Sequence, residues 1–416
     1  AAQAQILIGQ TAGFSGAVAA GVKETTDGAK LYLDAINAQG GVNGQKIELV
    51  QMDDKFDPKL AAENAKVLIT EKNVAALFLA RGTPTTQAIM PLLEQYKVPL
   101  IGPSSGAMVL HKPVNPWVFN VRATYQREAE RAVQHLSLIG IERIGVIHVD
   151  DSFGGDLLEG AKKGFAAVAK NPVFVEKYDR AKWDFSKIAP LVASSDVQAV
   201  LFMGSGNGVV DGVAAIRKAG SRAQIVTFSN NASGGFVKSL KENARGVIVT
   251  QVFPYERSLA APIVKEAHDY AVAKGLEGVT PAMLEGYAAA KVLVIALRRA
   301  GELAIQQVGG REVQHRVDLG ALVLQREVAM AGGMRPAEAG NLAADPDARV
   351  WAGLAPDCAN IFFIRLIVAV RHTGRCADRG DRAWHVAVVE GWSSRKRRGA
   401  SADRQFGSIA TPYDST

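Results

Sequence analysis

Two polar segments contain side chains suited to binding a small anion. Residues 81–86 (Arg-Gly-Thr-Pro-Thr-Thr) follow an apolar run at 75–79, and residues 104–107 (Ser-Ser-Gly-Ala) follow another at 98–101. The Arg81 guanidinium presents paired N–H donors that fit a carboxylate, and Thr85 and Ser104 add hydroxyls. Ser and Thr also cap helices very commonly, and an Arg at such a position is often only a solvated surface residue. Both interpretations stay open for these residues.

Other chemistries lack the residues that they need. Gly204-x-Gly206-x-Gly208 lies between a predicted strand and helix, but the third glycine of a dinucleotide-binding fingerprint is misplaced and no acidic residue ends the next apolar run. The segment Gly13-Phe-Ser-Gly-Ala17 fails the Gly-x-Ser-x-Gly pattern of serine hydrolases at its last position, no Gly-Lys-Ser/Thr motif is present, and the seven histidines show no paired spacing. Its only cysteines are Cys358 and Cys376. We therefore expect no catalytic residue, no metal and no cofactor, and predict that the protein is not an enzyme.

Composition limits the possible partners. The 416 residues are 48% hydrophobic, enough for at least two buried cores. No apolar run approaches the roughly 18 residues that a membrane span requires. The net charge of +7 is spread without long basic runs, so no nucleic-acid partner is expected. The opening Ala-Ala-Gln-Ala-Gln is typical of the end of a secretory signal and predicts export, although Ala-rich starts also arise by chance.

Short apolar runs alternate with segments of helical periodicity from residue 5 to about 250. The predicted strands are 6–9, 47–50, 75–79, 98–101, 144–147, 173–175, 199–202, 225–228 and 246–249. The predicted helices lie near 25–38, 58–72, 86–97, 126–139, 155–170, 207–219 and 233–243. Strands that are apolar on both faces and joined by crossover helices are typical of parallel sheets in an α/β fold. The strands are too many for one ordinary small sheet, so two sheets are predicted.

Five segments occur in an order and spacing that point to one family. They are DAINAQGGVNG at 34–44, DDKFDP at 53–58, TPTTQ at 83–87, PLIGPSSGA at 99–107 and AAIRKAG at 214–220. In these segments the chain resembles the leucine/isoleucine/valine-type, or type I, periplasmic binding proteins of ABC importers. The resemblance implies an α/β fold of two Rossmann-like lobes with parallel-sheet cores, a multi-strand hinge and a ligand cleft between the lobes. It also implies a final strand and hairpin, and no such pattern follows Glu302.

The resemblance assigns candidate ligand-binding residues in both lobes. Thr83 takes the position of a hydroxyl that binds the ligand's carboxylate, and Ser105 with Gly106 supplies hydroxyl and backbone contacts. Phe153 aligns with a segment that places an aromatic ring on the ligand. Tyr125, just beyond an extended segment at 117–122, is a further ring that would face either the cleft or a core.

Two positions depart from the branched-chain amino-acid binders. Ser205 stands where those proteins carry an aromatic side chain, and Asn230 falls near their acidic partner for the ligand ammonium. Asn accepts a hydrogen bond but lacks the charge that strengthens such a contact. The predicted ligand is therefore a carboxylate without an α-amino group, an amide, or an amino acid held less tightly by charge.

The predicted domains are an N-terminal lobe of residues 1–122 plus 252–302 and a C-terminal lobe of residues 123–251. A helical pair near 258–274 and 281–300 is expected to return the chain to the first lobe. Residues 303–416 form an atypical tail, which holds 14 Arg and one Lys against 12 Arg and 21 Lys in residues 1–302. A shifted reading frame, a fused segment and a genuine basic extension are the three explanations.

These features predict a periplasmic solute-binding protein of an ABC importer that closes its lobes on a small amino-acid-like or carboxylate ligand. The expected partners are the small-molecule solute and the membrane permease of the importer. The alternative is a ligand sensor or regulator on the same fold, such as an amide or amino-acid receptor. Both functions require only ligand-coupled closure of the lobes.

Overall fold

Two separate sheets, each flanked by helices, contain the predicted strands. The computed structural model describes residues 5–307, 365–370 and 385–390, with side chains as far as residue 300. Each sheet has five parallel strands, and the second carries two further antiparallel strands. The predicted α/β class with two parallel-sheet cores is confirmed.

The first sheet is built from the N-terminal part of the chain. Its elements are β1 (Gln5–Ala12), α1 (Ala19–Ala38), β2 (Lys46–Asp53), α2 (Pro58–Thr70), β3 (Ala76–Phe78), α3 (Thr83–Tyr96), β4 (Leu100–Ile101) and β5 (Val118–Phe119). The strand order is β2-β1-β3-β4-β5, so the direction of winding reverses between β1 and β3. The strands β3 and β4 are wholly buried, as their unbroken apolar sequences require.

The second sheet repeats this topology. Its elements are α4 (Tyr125–Leu138), β6 (Ile144–Val149), α5 (Ser152–Ala167), β7 (Val175–Tyr178), α6 (Ile188–Ser194), β8 (Ala199–Met203), α7 (Asn207–Lys218), β9 (Gln224–Thr227), α8 (Gly234–Ser239) and β10 (Val247–Val249). The parallel strands run in the order β10-β9-β8-β6-β7, and the winding reverses between β6 and β8. Its apolar side chains form one continuous core.

Two later helices, α9 (Pro262–Ala273) and α10 (Pro281–Gln307), pack on the first sheet. Their buried side chains share one core with β1, α1 and β3. The helices α1 and α10 approach closely at two glycines. A Cβ on Gly286 would lie 1.7 Å from the Thr25 carbonyl oxygen, and one on Gly28 would lie 2.0 Å from that of Met283. A larger residue at either position would push the helices apart.

The structure adds elements that the sequence analysis missed. The strand β5 and the helix α6 were not predicted, because each is short and neither has a distinct periodic pattern. The expectation that no strand pair follows Glu302 is wrong: β11 (Arg365–Val370) and β12 (His385–Glu390) are antiparallel neighbours, and β11 pairs with β10. Most of the predicted tail, 303–416, lies outside the described residues.

Candidate functional site

The loops at the two winding reversals contain the candidate site. In open α/β sheets, ligands bind beyond the carboxyl ends of the strands where the strand order reverses. In the first lobe these loops follow β1 and β3, and in the second they follow β6 and β8. The predicted residues Arg81, Phe153 and Ser205 lie on three of these four loops or on the first turn of the next helix.

Arg81 spans the two lobes. It continues the pairing of β3 with β4 through a single parallel bridge to Ser104. Its Nη1 donates to the Ser104 hydroxyl at 2.9 Å, and its Nη2 donates to the backbone carbonyl of Asn230 at 2.5 Å. Burial lowers the pKa of the guanidinium. The interpretation of Arg81 as a solvated surface residue is therefore wrong, because only 6% of the residue is exposed.

The neighbouring hydroxyls divide into two groups. The Thr83 and Ser105 hydroxyls are hydrogen-bonded to each other at 2.9 Å, and both residues are buried. The Thr85 hydroxyl instead donates to the carbonyls of Arg81 and of Gly82, within the first turn of α3. Thr85 thus stabilises its own helix start, whereas Thr83 and Ser105 form a pair at the carboxyl ends of adjacent strands.

Gly106, Tyr125 and Phe153 form a packed group. A Cβ on Gly106 would lie 2.5 Å from the carbonyl oxygen of Ala123, so only glycine fits against the segment that enters the second lobe. The Tyr125 ring contacts the Phe153 ring edge to face, with centroids 5.0 Å apart. Both rings belong to the second lobe's core and are at most 3% exposed. Burial raises the pKa of Tyr125.

Ser205 and Asn230 are joined in the second lobe. The Asn230 Nδ2 donates to the Gly204 carbonyl at 3.0 Å and to the Ser205 hydroxyl at 3.1 Å. The Asn230 Oδ1 is buried and has no partner among the described residues. Ser205, Asn230, Arg81 and Ser104 therefore form one hydrogen-bonded chain across the cleft. No described contact joins Thr83 to Phe153. Whether any of these residues binds a ligand stays a prediction.

A crevice opens beside Ser205 at the edge of this chain. It is narrow, with a cavity volume of about 20 Å³, which is room for about one water molecule. Both lobes contribute to its walls, which are formed by Ala17, Val18, Phe56, Tyr178, Arg180, Trp183, Ser205 and Gly208. Of the predicted site residues, only Ser205 lines it. Three of its lining residues are aromatic, and aromatic walls favour apolar or aromatic contacts.

Arg180 is the residue of this crevice that the sequence analysis most clearly missed. Its Nε donates to the Asp151 carboxylate at 2.5 Å, and Asp151 also caps the first turn of α5. The guanidinium carbon lies 4.8 Å from the centroid of the Phe56 ring, in the other lobe, and 5.8 Å from that of Phe153. A charged residue two positions after Tyr178, where β7 ends, was the available signal.

A buried ionic cluster lies where the chain crosses between lobes. Arg122 Nη1 donates to both oxygens of Glu285 at 3.3 Å, and its Nη2 lies 3.8 Å from Glu128. Burial, the largest single effect, would lower the pKa of Arg122, but Glu285, Tyr125 and Glu128 together outweigh it, and the pKa is raised. Glu128 also accepts from the Ser229 amide at 2.7 Å and from Thr250. The cluster therefore connects α4 and α10 with the two segments in which the chain passes between the lobes, at Arg122 and at Thr250.

The described residues contain no group of His, Cys, Asp and Glu arranged to hold a metal ion. A search of the same part of the chain finds no helix with the length and apolar character of a membrane span.

Comparisons with known proteins agree with this architecture. The sequence profile of the periplasmic binding protein family matches residues 5–309. The chain is 23% identical over 252 residues to a Leu/Ile/Val-binding protein of Escherichia coli strain K12, covering 60% of this chain and 68% of that protein. Other relatives carry similar names, including a Leu/Ile/Val-binding protein homolog of Brucella melitensis.

Solved structures share the fold. A substrate-binding periplasmic protein from Ralstonia solanacearum is 27% identical, with a TM-score of 0.68, over 76% of this chain and 88% of that one. An ABC transporter solute-binding protein from R. palustris in complex with benzoate is 18% identical, with a TM-score of 0.67, over 77% of this chain and 85% of that one. The family match over most of the described chain, together with two sheets of the same topology, shows that this chain belongs to the periplasmic binding protein family and is of the type I kind, like the Leu/Ile/Val-binding proteins.

Proposed function

We propose that this chain is the periplasmic solute-binding protein of an ABC importer and that it holds a small amino-acid-like or carboxylate solute between its lobes. The observation that carries the proposal is the bond from Arg81 to the Asn230 carbonyl, because it joins candidate ligand residues of opposite lobes. The names of the relatives, and the benzoate bound by one structural neighbour, support this class of ligand.

The proposed lobes are residues 1–122 plus 252–302 and residues 123–251. The lobes meet at Arg81 and again where the Asn207 amide donates to the Ala17 carbonyl at 3.1 Å. A solute that contacts both lobes stabilises this closed form relative to an open one, because it gains all of its contacts only when the lobes are together. The closed form would then dock on the membrane permease.

In this proposal the solute-binding residues are Thr83, Ser105, Phe153, Ser205 and Asn230, with Arg81 between the lobes. Thr83 and Ser105 present paired hydroxyls in the first lobe, and Phe153 is the candidate aromatic ring of the second. Such contacts determine how the solute is oriented. The closure of the lobes is driven by the sum of the solute's contacts to both of them.

The test is a thermal-shift screen of amino acids, aromatic acids, dicarboxylates and amides, followed by X-ray scattering with the best binder. We expect at least one solute to raise the melting temperature, because binding stabilises the native state by mass action. We also expect that solute to change the radius of gyration if an open form is populated without it. Absence of any thermal shift across the screen would contradict the proposal.

A further inference from the structure

One N–H group of the Arg180 guanidinium lacks a hydrogen-bond acceptor among the described residues. Its Nε pairs with Asp151, but its Nη2 is buried and has no hydrogen-bond partner among the described residues. The guanidinium lines the crevice and is held between the Phe56 and Phe153 rings. A buried, unsatisfied donor on a charged group is costly, so an acceptor at this position would be strongly favoured.

Arg81 carries a second charge that lacks a close counter-ion. Its two described hydrogen bonds end on neutral oxygens, the Ser104 hydroxyl and the Asn230 carbonyl. Within the described residues no carboxylate forms an ion pair with it. Glu285 attracts Arg81 from a distance, but both Glu285 oxygens accept from Arg122. Neutral acceptors leave part of the cost of burying this charge unmet.

Two carboxylates near the cleft, those of Asp151 and Glu128, have both oxygens engaged. Asp151 Oδ1 accepts from the amides of Phe153 at 2.9 Å and Gly154 at 3.1 Å, and its Oδ2 accepts from Arg180. Glu128 accepts from the Ser229 amide and hydroxyl and from Thr250. A ligand ammonium would therefore find the neutral Asn230 Oδ1, and no uncommitted carboxylate oxygen among these groups.

We propose that the cleft selects solutes of net negative charge, namely carboxylates without an α-ammonium group, with Arg180 as the charge-selecting residue at the crevice and Arg81 behind it. This inference rests on the proposed solute-binding function. An anion gains a charge-assisted hydrogen bond from the unsatisfied Nη2 of Arg180 and electrostatic attraction from Arg81, whereas a zwitterion must also desolvate an ammonium that neither Asp151 nor Glu128 is free to pair. The aromatic walls of the crevice favour an apolar or aromatic body on the acid.

Matched solutes test the charge preference on the whole chain. Calorimetry would compare phenylalanine with phenyllactate and phenylpyruvate, and leucine with its 2-hydroxy and 2-oxo analogues. Each set shares a skeleton and a carboxylate and differs at the α-position. We expect at least one acid to bind at least tenfold more tightly than its amino acid.

Equal or tighter binding of the amino acids would overturn the inference and leave solute binding intact. Binding of amides alone would do the same. Failure of every acid, amino acid and amide to bind would overturn both the inference and the proposed function.

Three Arg→Met variants separate charge selection from stability. Arg180→Met and Arg81→Met should each reduce the ratio of acid to amino-acid affinity at least tenfold, and Arg180→Lys should retain most of the preference. Arg217→Met is the matched control, because within the described part of the chain this half-buried guanidinium bonds only to the backbone carbonyls of Ser221, Ala223 and Arg245. The Arg217→Met variant should lower the melting temperature without changing the ratio of acid to amino-acid affinity.

Arg180 has 24% of its side chain exposed, so its variant tests the inference even if Arg81→Met does not fold. An unchanged affinity ratio in Arg180→Met would contradict the role assigned to Arg180.

Discussion

The Glu24 carboxylate on α1 accepts a hydrogen bond from the backbone amide of Gly235 at 2.7 Å and so links the first lobe to the start of α8 in the second. The same carboxylate accepts from the Gly234 amide at 2.9 Å and from the Thr280 hydroxyl at 2.8 Å. Glu24 does not line the crevice. The two lobes are therefore held together in part by a carboxylate that is not one of the candidate ligand residues.

Glu24→Gln should weaken closure. The glutamine amide keeps one acceptor oxygen but turns an NH₂ group toward backbone donors, so charge-assisted bonds worth about 1.5–3 kcal/mol each are lost or weakened. Because closure and binding are coupled, we expect about tenfold weaker binding of the best solute in the screen. Calorimetry measures the affinity, and X-ray scattering should give a larger radius of gyration.

The matched control for this prediction is Glu159→Gln. Glu159 lies on α5 and forms an ion pair with the exposed Lys162 at 2.7 Å. Wild-type affinity in both variants would remove Glu24 from the closure mechanism.

Asp54 should make stability depend on pH in an unusual direction. Burial raises its pKa from 3.8 to about 6, although hydrogen bonds from the Phe56 amide and the Thr11 hydroxyl oppose the shift. The folded state thus binds this proton more tightly than the unfolded state does. The resulting stabilisation, at most about 3 kcal/mol, is complete below about pH 3.8 and is lost as pH rises through 6.

Chemical denaturation of the wild type and of Asp54→Asn measures this effect. The stability of the wild type relative to the variant should increase as pH falls from 7.5 to 4.5. Asp269→Asn, at an exposed site on α9, should show no such trend. A relative stability of Asp54→Asn that does not change with pH would refute the shifted titration.

The sequence predicted the sheets well, because their strands are buried and apolar. The loops after β3, β6 and β8 were found for the same reason, since each follows an unbroken apolar run. Arg180 was missed at an edge strand. The apolar run at 173–175 suggested a strand that ended at Val175, whereas β7 begins at Val175 and runs through the polar pair Glu176 and Lys177 to Tyr178. Polar residues are normal in a strand with one exposed face.

The contacts between the lobes could not be predicted from the sequence for a different reason. Glu24 and Gly235 are 211 residues apart, and their contact depends on the angle between the lobes. The helix α1 also begins at Ala19, although the sequence pattern suggested a start near residue 25. Likewise, the sequence placed Arg81 at the cleft but contained no indication that its partner would be a backbone carbonyl.

Glu285→Gln should destabilise the hinge. Arg122 is fully buried and donates to both Glu285 oxygens, so the substitution leaves its charge with only Glu128 at 3.8 Å. Removing one partner of a buried ion pair costs about 3–5 kcal/mol, and urea unfolding measures the loss. The exposed Glu277→Gln is the control. A double variant with Met at both Arg122 and Glu285 should regain part of the loss, and no recovery would argue against an ionic cause.

Gly206→Ala should prevent full closure. Gly206 precedes α7 in the second lobe, and a Cβ there would lie 1.8 Å from the Ala17 carbonyl oxygen in the first. Its φ of +54° also disfavours alanine. The substitution therefore has two effects, backbone strain within the second lobe and a steric clash with the first lobe, which a control must distinguish.

Gly220→Ala makes that separation. Gly220 also has a positive φ, +93°, and a Cβ there would have no neighbour within 4 Å. Both variants should lose about 1 kcal/mol or more of stability from backbone strain. Only Gly206→Ala should also enlarge the radius of gyration with the solute present and reduce affinity at least tenfold, because only its methyl group meets the opposite lobe. Equal affinities in the two variants would show that the contact between Gly206 and Ala17 is not needed for binding.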